Sequence, residues 1–118
     1  ADRTRRLPRG LLRQRRSDMV EIKVTRRGRH IAFDITGHAH GGAKGEDVIC
    51  AGVSTLALTL ASALAHVGAP GLDATLNSGR AHIACRETKA TRPVIQTVMR
   101  GFDIIADSYP ANVGITMV

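Results

Sequence analysis

The sequence predicts an α+β domain, a mainly antiparallel sheet with two helices packed on it, in the order ββ-α-ββ-α-β. Two pairs of short segments alternate apolar and polar residues around tight turns, and a fifth such segment ends the chain. Two longer segments repeat apolar residues at spacings of three and four. Period-two alternation indicates half-buried strands, and the longer spacing indicates amphipathic helices. Hairpins separated by helices favour helices layered on an antiparallel sheet.

The first hairpin is predicted at residues 20–36. Val20–Thr25 alternates apolar and polar residues, and a basic turn at residues 26–29 follows it. The second strand, His30–Thr36, places Ile31, Phe33 and Ile35 on one face. Two alternating strands around a glycine-containing turn are typical of a hairpin.

A long helix is predicted from Asp47 to about His66. Its apolar stripe consists of Ile49, Val53, Leu56, Leu60 and Leu64. Asp47 is a suitable N-cap, and Gly68 and Pro70 end the helix. Ser and Thr interrupt its most apolar part, so no apolar run is expected to approach the roughly 18–20 residues that span a bilayer. The segment is therefore interpreted as a buried helix.

The remaining elements follow the same patterns. Short strands at Leu72–Leu76 and Ala81–Cys85 flank the turn at residues 77–80, which predicts a second hairpin. A second helix is predicted at Arg92–Ala106, with Pro93 in its first turn. Asn112–Val118 is the final strand.

Composition fits a single domain at residues 19–118. The chain has 118 residues, of which 43% are hydrophobic and 3% aromatic, so its core must consist of Val, Ile, Leu and Ala. Because a chain of this size buries limited surface, dimerisation would supplement its stability. No signal peptide is recognised, so the expected location is the cytoplasm, where Cys50 and Cys85 remain thiols.

The basic excess lies mainly in residues 1–18, which are expected to be a disordered extension. Seven arginines against two aspartates give this segment a net charge of +5, whereas residues 19–118 carry only +2. Three origins remain open: a vector-derived or upstream-frame extension before a start at Met19, a basic arm that contacts RNA, or a targeting peptide.

Residues 37–54, GHAHGGAKGEDVICAGVS, contain the chemically informative pattern. Gly37, Gly41, Gly42 and Gly45 predict a flexible loop between a strand and the long helix. His38 begins this loop, and Cys50 lies in the first turn of the helix. Free N–H groups and the helix dipole stabilise a thiolate there, and the N–H of Cys50 itself could help form an oxyanion hole. An imidazole at His38 could then serve as base and acid.

Several residues have competing interpretations. A lone cysteine is often a small buried residue, which is the interpretation for Cys85. Asp47 either caps the helix or orients His38, and Ser54 either hydrogen-bonds near the site or bonds back to a helical carbonyl. His38, His40 and Cys50 could bind zinc, although no fourth ligand is obvious among candidates such as Asp47 and His82. No metal is therefore predicted. No cofactor is predicted either, and the loop lacks the G-x-x-x-x-G-K-[ST] order of a phosphate-binding loop.

The strings GHA and DVICAGVS, separated by a glycine-rich spacer, resemble the signature of the ribosomal-processing cysteine protease (Prp) family. The resemblance extends over residues 19–118. It implies that His38 and Cys50 are the catalytic pair of a cysteine endopeptidase. It also implies an α+β fold, a homodimer, and a substrate: the N-terminal extension of large-subunit ribosomal protein twenty-seven. Residues 1–18 depart from the family pattern.

A non-catalytic ribosome- or RNA-associated binding protein is the alternative function. The basic residues favour it, and direct nucleic-acid binding remains open. The small number of aromatic side chains available for base stacking, Phe33, Phe102 and Tyr109, argues against it. No membrane partner is expected.

Overall fold

Two hairpins and a parallel edge strand form one five-stranded sheet. The computed structural model describes residues 19–37 and 46–118, so the predictions for residues 1–18 lie outside the described part. The strands are β1 (Val20–Arg27), β2 (His30–Thr36), β3 (Asp73–Asn77), β4 (Arg80–Arg86) and β5 (Val113–Met117), and the helices are α1 (Glu46–His66) and α2 (Thr91–Ser108). The strand order is β3-β4-β2-β1-β5, and β1–β5 is the parallel pair. The predicted α+β class and element order are confirmed.

Both helices pack on one face of the sheet because alternate strand residues are apolar. Val20, Ile22 and Val24 of β1 point into the core, and Ile83 and Cys85 of β4 join them. The helices contribute a buried set that consists of Ile49, Val53, Ala57, Leu60, Leu64, Ile95, Val98 and Phe102. Phe33 and Phe102 meet at the centre with ring centroids 6.3 Å apart. The predicted aliphatic core therefore forms around one aromatic pair.

Glycines set the close approach of the two helices. A Cβ atom at Gly101 of α2 would lie 2.5 Å from Leu56 Cδ2, and one at Gly52 of α1 would lie 2.7 Å from Ile105 Cδ1. Leu56 of the predicted apolar stripe is therefore partly buried in the contact between the two helices.

The length and hydropathy of α1 correct one expectation. Val48–His66 spans 19 residues with a mean hydropathy of 2.0, which by composition alone is enough to cross a membrane. The interrupting Ser and Thr residues do not lower the average as much as expected, because most other positions hold Ala, Leu, Val or Ile. About 33% of this segment is buried, and that buried stripe packs on the sheet.

The start of α2 is stabilised by a reciprocal pair of threonines. Thr88 Oγ1 accepts a hydrogen bond from the Thr91 amide at 3.2 Å, and Thr91 Oγ1 accepts one from the Thr88 amide at 2.8 Å. The two bonds are reciprocal, as in a capping box, but they join residues on either side of the N-cap, Ala90. Thr91 is fully buried. The helix begins at Thr91, one residue before the predicted Arg92.

Candidate active site

An open cavity of about 420 Å³ lies between α1 and the turn that joins β3 to β4. Cys50, Ser54 and Leu58 of α1 form one wall. The opposite wall is the segment from Leu76 to Ala81. Val20 and Ile35 come from the sheet beneath it. The cavity therefore lies at the end of the sheet where β1 begins and β2 ends.

Cys50 is half-buried and presents its side chain to this cavity. It is the fifth residue of α1, which begins at Glu46 rather than after Asp47. Asp47 therefore lies within the first turn and does not occupy the N-cap position. The structure does not describe its side chain. In a regular helix, the N–H of the fifth residue bonds to the carbonyl four residues earlier. The predicted role of the Cys50 N–H in an oxyanion hole is thus not supported.

Gly37 fixes the chain where the predicted flexible loop begins. Its φ of +96° is rarely accessible to residues with side chains, and a Cβ atom there would lie 2.1 Å from the Met19 carbonyl oxygen. Its amide donates a hydrogen bond to the Gly79 carbonyl at 3.0 Å. Gly37 also lines the cavity with Cys50. Backbone geometry therefore brings the end of β2 to the thiol-bearing helix.

The other predicted site residues divide into two groups. Ser54 is exposed and lines the cavity one turn after Cys50, so the structure brings these two side chains together. In α1, the hydroxyls of Thr55 and Thr59 bond back to helical carbonyls. His38, His40, Gly41, Gly42 and Gly45 lie outside the described residues, and their predicted roles stay predictions.

Sequence reasoning missed the wall opposite Cys50. The sequence indicates residues 77–80 only as a hairpin turn, yet Asn77, Ser78 and Arg80 supply the polar groups of this wall, and Leu76 adds an exposed apolar side chain. The turn reaches the site because β4 pairs with β2, which places Arg80 beside Thr36. That pairing joins segments distant in sequence, and local patterns do not specify it.

Cys85 differs from Cys50 in its surroundings. It is fully buried in β4, and burial raises the pKa of its thiol above the usual value, with the nearby Glu87 carboxylate adding to the effect. A thiol held in its protonated form is a poor nucleophile. The predicted structural role of Cys85 agrees with this environment.

We expect Cys85 to make the folded protein less stable as the pH becomes alkaline. The pKa of the Cys85 thiol is higher in the folded state than its ordinary value of 9.0. The contribution of Cys85 to the free energy of unfolding is therefore complete below pH 9.0 and is lost as the pH rises. Urea unfolding of wild type and Cys85→Ala from about pH 8 to about pH 10 tests this. The variant should be less stable by about 1 kcal/mol at the lower pH, with a smaller difference at the higher pH. A constant difference would contradict the expectation.

The described residues hold no cluster of three His, Cys, Asp or Glu side chains able to bind a metal ion. His82 donates from Nδ1 to Asp34 Oδ1 at 2.6 Å on the face of the sheet opposite α1 and α2, and its Nε2 lies 3.7 Å from Asp73 Oδ2. It is thus engaged with carboxylates on that face. The zinc interpretation depends on His38 and His40, which lie outside the described part.

Solved structures share this fold. The ribosomal processing protease Prp from S. aureus, crystallised with a substrate peptide, has a TM-score of 0.70 at 20% identity, covering 85% of this chain and 100% of that chain. SMU.848 from Streptococcus mutans has a TM-score of 0.67 at 24% identity, covering 87% and 97% respectively. At these identities the likeness shows the fold alone.

Sequence comparison gives the family. No curated protein matches the chain. The family model described as cysteine protease Prp matches residues 19–114, a range that contains α1, Cys50 and both hairpins. The resemblance seen in the two sequence strings is confirmed, and the chain belongs to the Prp family of cysteine proteases.

Proposed function

We propose that this protein is a cysteine endopeptidase that removes the N-terminal extension of large-subunit ribosomal protein twenty-seven during ribosome assembly. One observation carries the proposal: the Cys50 thiol faces an open cavity that is also lined by Gly37, the residue directly before His38. Family membership supports the protease chemistry. The S. aureus protein of the same fold is described as a ribosomal processing protease and was crystallised with a substrate peptide.

In the proposed reaction, the Cys50 sulfur attacks the carbonyl carbon of the scissile peptide bond. His38 accepts the thiol proton and donates it to the leaving amine as the C–N bond breaks, which leaves a thioester on Cys50. Water then attacks the thioester with His38 as base. The new C–O bond releases the extension as a carboxylic acid and restores the thiol.

The cavity suits an extended peptide more than a compact ligand. Leu58 and Leu76 offer apolar contacts on opposite walls, while Asn77 and Ser78 offer hydrogen-bonding groups. All five residues of β3 are exposed, and β3 is an edge strand of the described sheet. Backbone pairing along such an edge is a common way to bind a peptide strand. The substrate could therefore pair with β3 while its scissile bond reaches Cys50.

The proposal is tested with the extended and the mature forms of the ribosomal protein. Wild-type protease should convert the extended form to a shorter product, and mass spectrometry should detect both the released peptide and the trimmed protein. The mature form should remain unchanged under the same conditions. Failure to cleave the extended form, with a folded protease, would exclude this substrate.

The proposed protease is also expected to form a homodimer. Val48 and Leu58 of α1 are 63% and 56% exposed, and large exposed apolar side chains on a small domain favour association. Sedimentation equilibrium should give twice the chain mass of 12.6 kDa. A single species of the chain mass would contradict the dimer.

A cytoplasmic location follows from the proposed substrate, because bacterial ribosomes are assembled in the cytoplasm. Cell fractionation should place the protease with the ribosome-containing fraction rather than with membranes.

A further inference from the structure

The end of the sheet opposite the cavity is strongly basic. The turn between β1 and β2 lies beside the segment that follows β4, since the Glu87 amide donates to the Arg29 carbonyl at 2.6 Å. Together these segments form a surface, here termed the basic end, whose exposed cations are Arg26, Arg27, Arg29, Arg86, Lys89 and Arg92. The sequence indicated a nearly balanced domain, but folding concentrates six of its ten Lys and Arg residues here.

Glu87, the acidic residue within these segments, lies between two of the cations. Glu87 is only 10% exposed, forms an ion pair with Arg26 and lies 3.9 Å from Arg92 Nε. Within residues 26–29 and 86–92, six cations and one carboxylate give a net charge of +5. The rest of residues 19–118 has four Lys or Arg and seven Asp or Glu, a net charge of −3. Such separation of charge creates a field that attracts polyanions.

The shape of the basic end suits a phosphate backbone. Arg29, His30, Pro70, Gly71 and Arg86 line a depression of about 620 Å³. Arg26 and Arg27 end β1, Arg29 lies in the turn that leads into β2, and Arg86 ends β4. These three strands are neighbours in the sheet. Strands lie about 4.8 Å apart, so these cations span roughly 10 Å. That distance corresponds to about three successive phosphates of a nucleic-acid strand.

The basic end is also separate from the cavity. Arg27 ends β1 and His30 begins β2, whereas Gly37 follows β2 at the cavity. A seven-residue strand such as β2 is roughly 20 Å long. A partner bound at the basic end would therefore leave Cys50 accessible to a second chain.

We propose that the basic end docks the protease on the phosphate backbone of RNA, which positions the cavity over a protein substrate carried by that RNA. The second part rests on the proposed function. Recognition is expected to be independent of sequence, because Phe33 and Phe102 are buried in the core and no described Phe, Tyr or Trp side chain lies at this end for base stacking. Binding should therefore depend steeply on salt.

A matched pair of double variants tests the docking surface. Arg27→Gln with Arg29→Gln removes two cations from the basic end, and Lys23→Gln with Arg100→Gln removes two exposed cations elsewhere. Both variants retain the seven arginines of residues 1–18, so any RNA binding by that segment is common to them. The anisotropy of a fluorescent single-stranded RNA, measured between about 50 and 200 mM salt, gives affinity and salt slope.

The Arg27/Arg29 variant should bind RNA about tenfold more weakly than the control variant, with a logarithmic salt slope shallower by about 1.4. Equal affinity and slope in the two variants would overturn the proposal. Competition by a polyglutamate peptide as effective as that by RNA of equal charge would also overturn it, in favour of an acidic protein partner. Cleavage of the isolated extended ribosomal protein should be the same in both variants. If the wild-type protein does not cleave the extended ribosomal protein, the proposed substrate is refuted and the RNA-binding result still stands.

Discussion

Replacement of Cys50 by Ala is expected to reduce kcat/KM for the extended ribosomal protein by at least about 10⁴-fold, as for other covalent nucleophiles. In the proposed reaction the thiol forms the thioester, and neither Ala nor water can replace it at the cavity wall. Because Cys50 is only half-buried, its loss should leave the fold intact. Discontinuous cleavage assays followed by mass spectrometry, with circular dichroism on the same samples, measure both properties.

Cys85→Ala is the matched control, because it removes the same atoms from a buried position. It should lose stability but retain cleavage, and iodoacetamide should modify native wild type at Cys50 and leave Cys85 unmodified. His38→Ala should lose about 10²–10⁴-fold in kcat/KM through loss of proton transfer. The double variant Cys50→Ala with His38→Ala should be no slower than Cys50→Ala alone, since the two groups act in one step. Full cleavage by Cys50→Ala would exclude the proposed mechanism.

The fold was predictable to the extent that local patterns determine it. Alternation in His30–Thr36 gave both bounds of β2, and the stripe from Ile49 to Leu64 gave the length and buried face of α1. The predicted start of α1 was wrong by one residue because Asp47 is a good cap in isolation, yet Glu46 is already helical. Strand order depends on pairings between distant segments, so the parallel pairing of β1 with β5 could not be derived from any one of them.

The site was predictable only in part for the same reason. A cysteine near a helix start and a glycine-rich loop are local features, and they singled out Cys50. The structure places Cys50 at a cavity, and its role as nucleophile stays a prediction. The facing wall comes from residues 76–81 and reaches Cys50 only through the pairing of β4 with β2. The basic end has the same origin, because residues 26–29 and 86–92 become neighbours only in the folded sheet. The net charge of residues 19–118 could not show that the basic residues gather at one end of the sheet.

Gly37→Ala is expected to be the most damaging glycine substitution tested at the site. The new Cβ would meet the Met19 carbonyl oxygen at 2.1 Å, and φ of +96° is strained for alanine. Backbone must shift to relieve the contact, which should cost about 3 kcal/mol or more and lower Tm by about 10 °C or more. The shift would also displace the chain that leads directly into His38. Cleavage should fall by about 10²-fold even where the variant is fully folded, since misplacement of a catalytic group by about 1 Å has this effect.

Gly28→Ala provides the control for backbone strain alone. Gly28 also has a positive φ, +59°, but nothing lies within 4 Å of the position that a Cβ atom would take in this hairpin turn. It should cost about 1–2 kcal/mol and leave cleavage unchanged. Thermal unfolding and cleavage below the transition compare the two variants directly. Equal losses of stability and equal activities would show that the contact with Met19 does not position His38. A larger loss of activity in Gly37→Ala would instead support His38 as the proposed base and tie its position to the hydrogen bond between Gly37 and Gly79, and thus to the turn that forms the facing wall of the cavity.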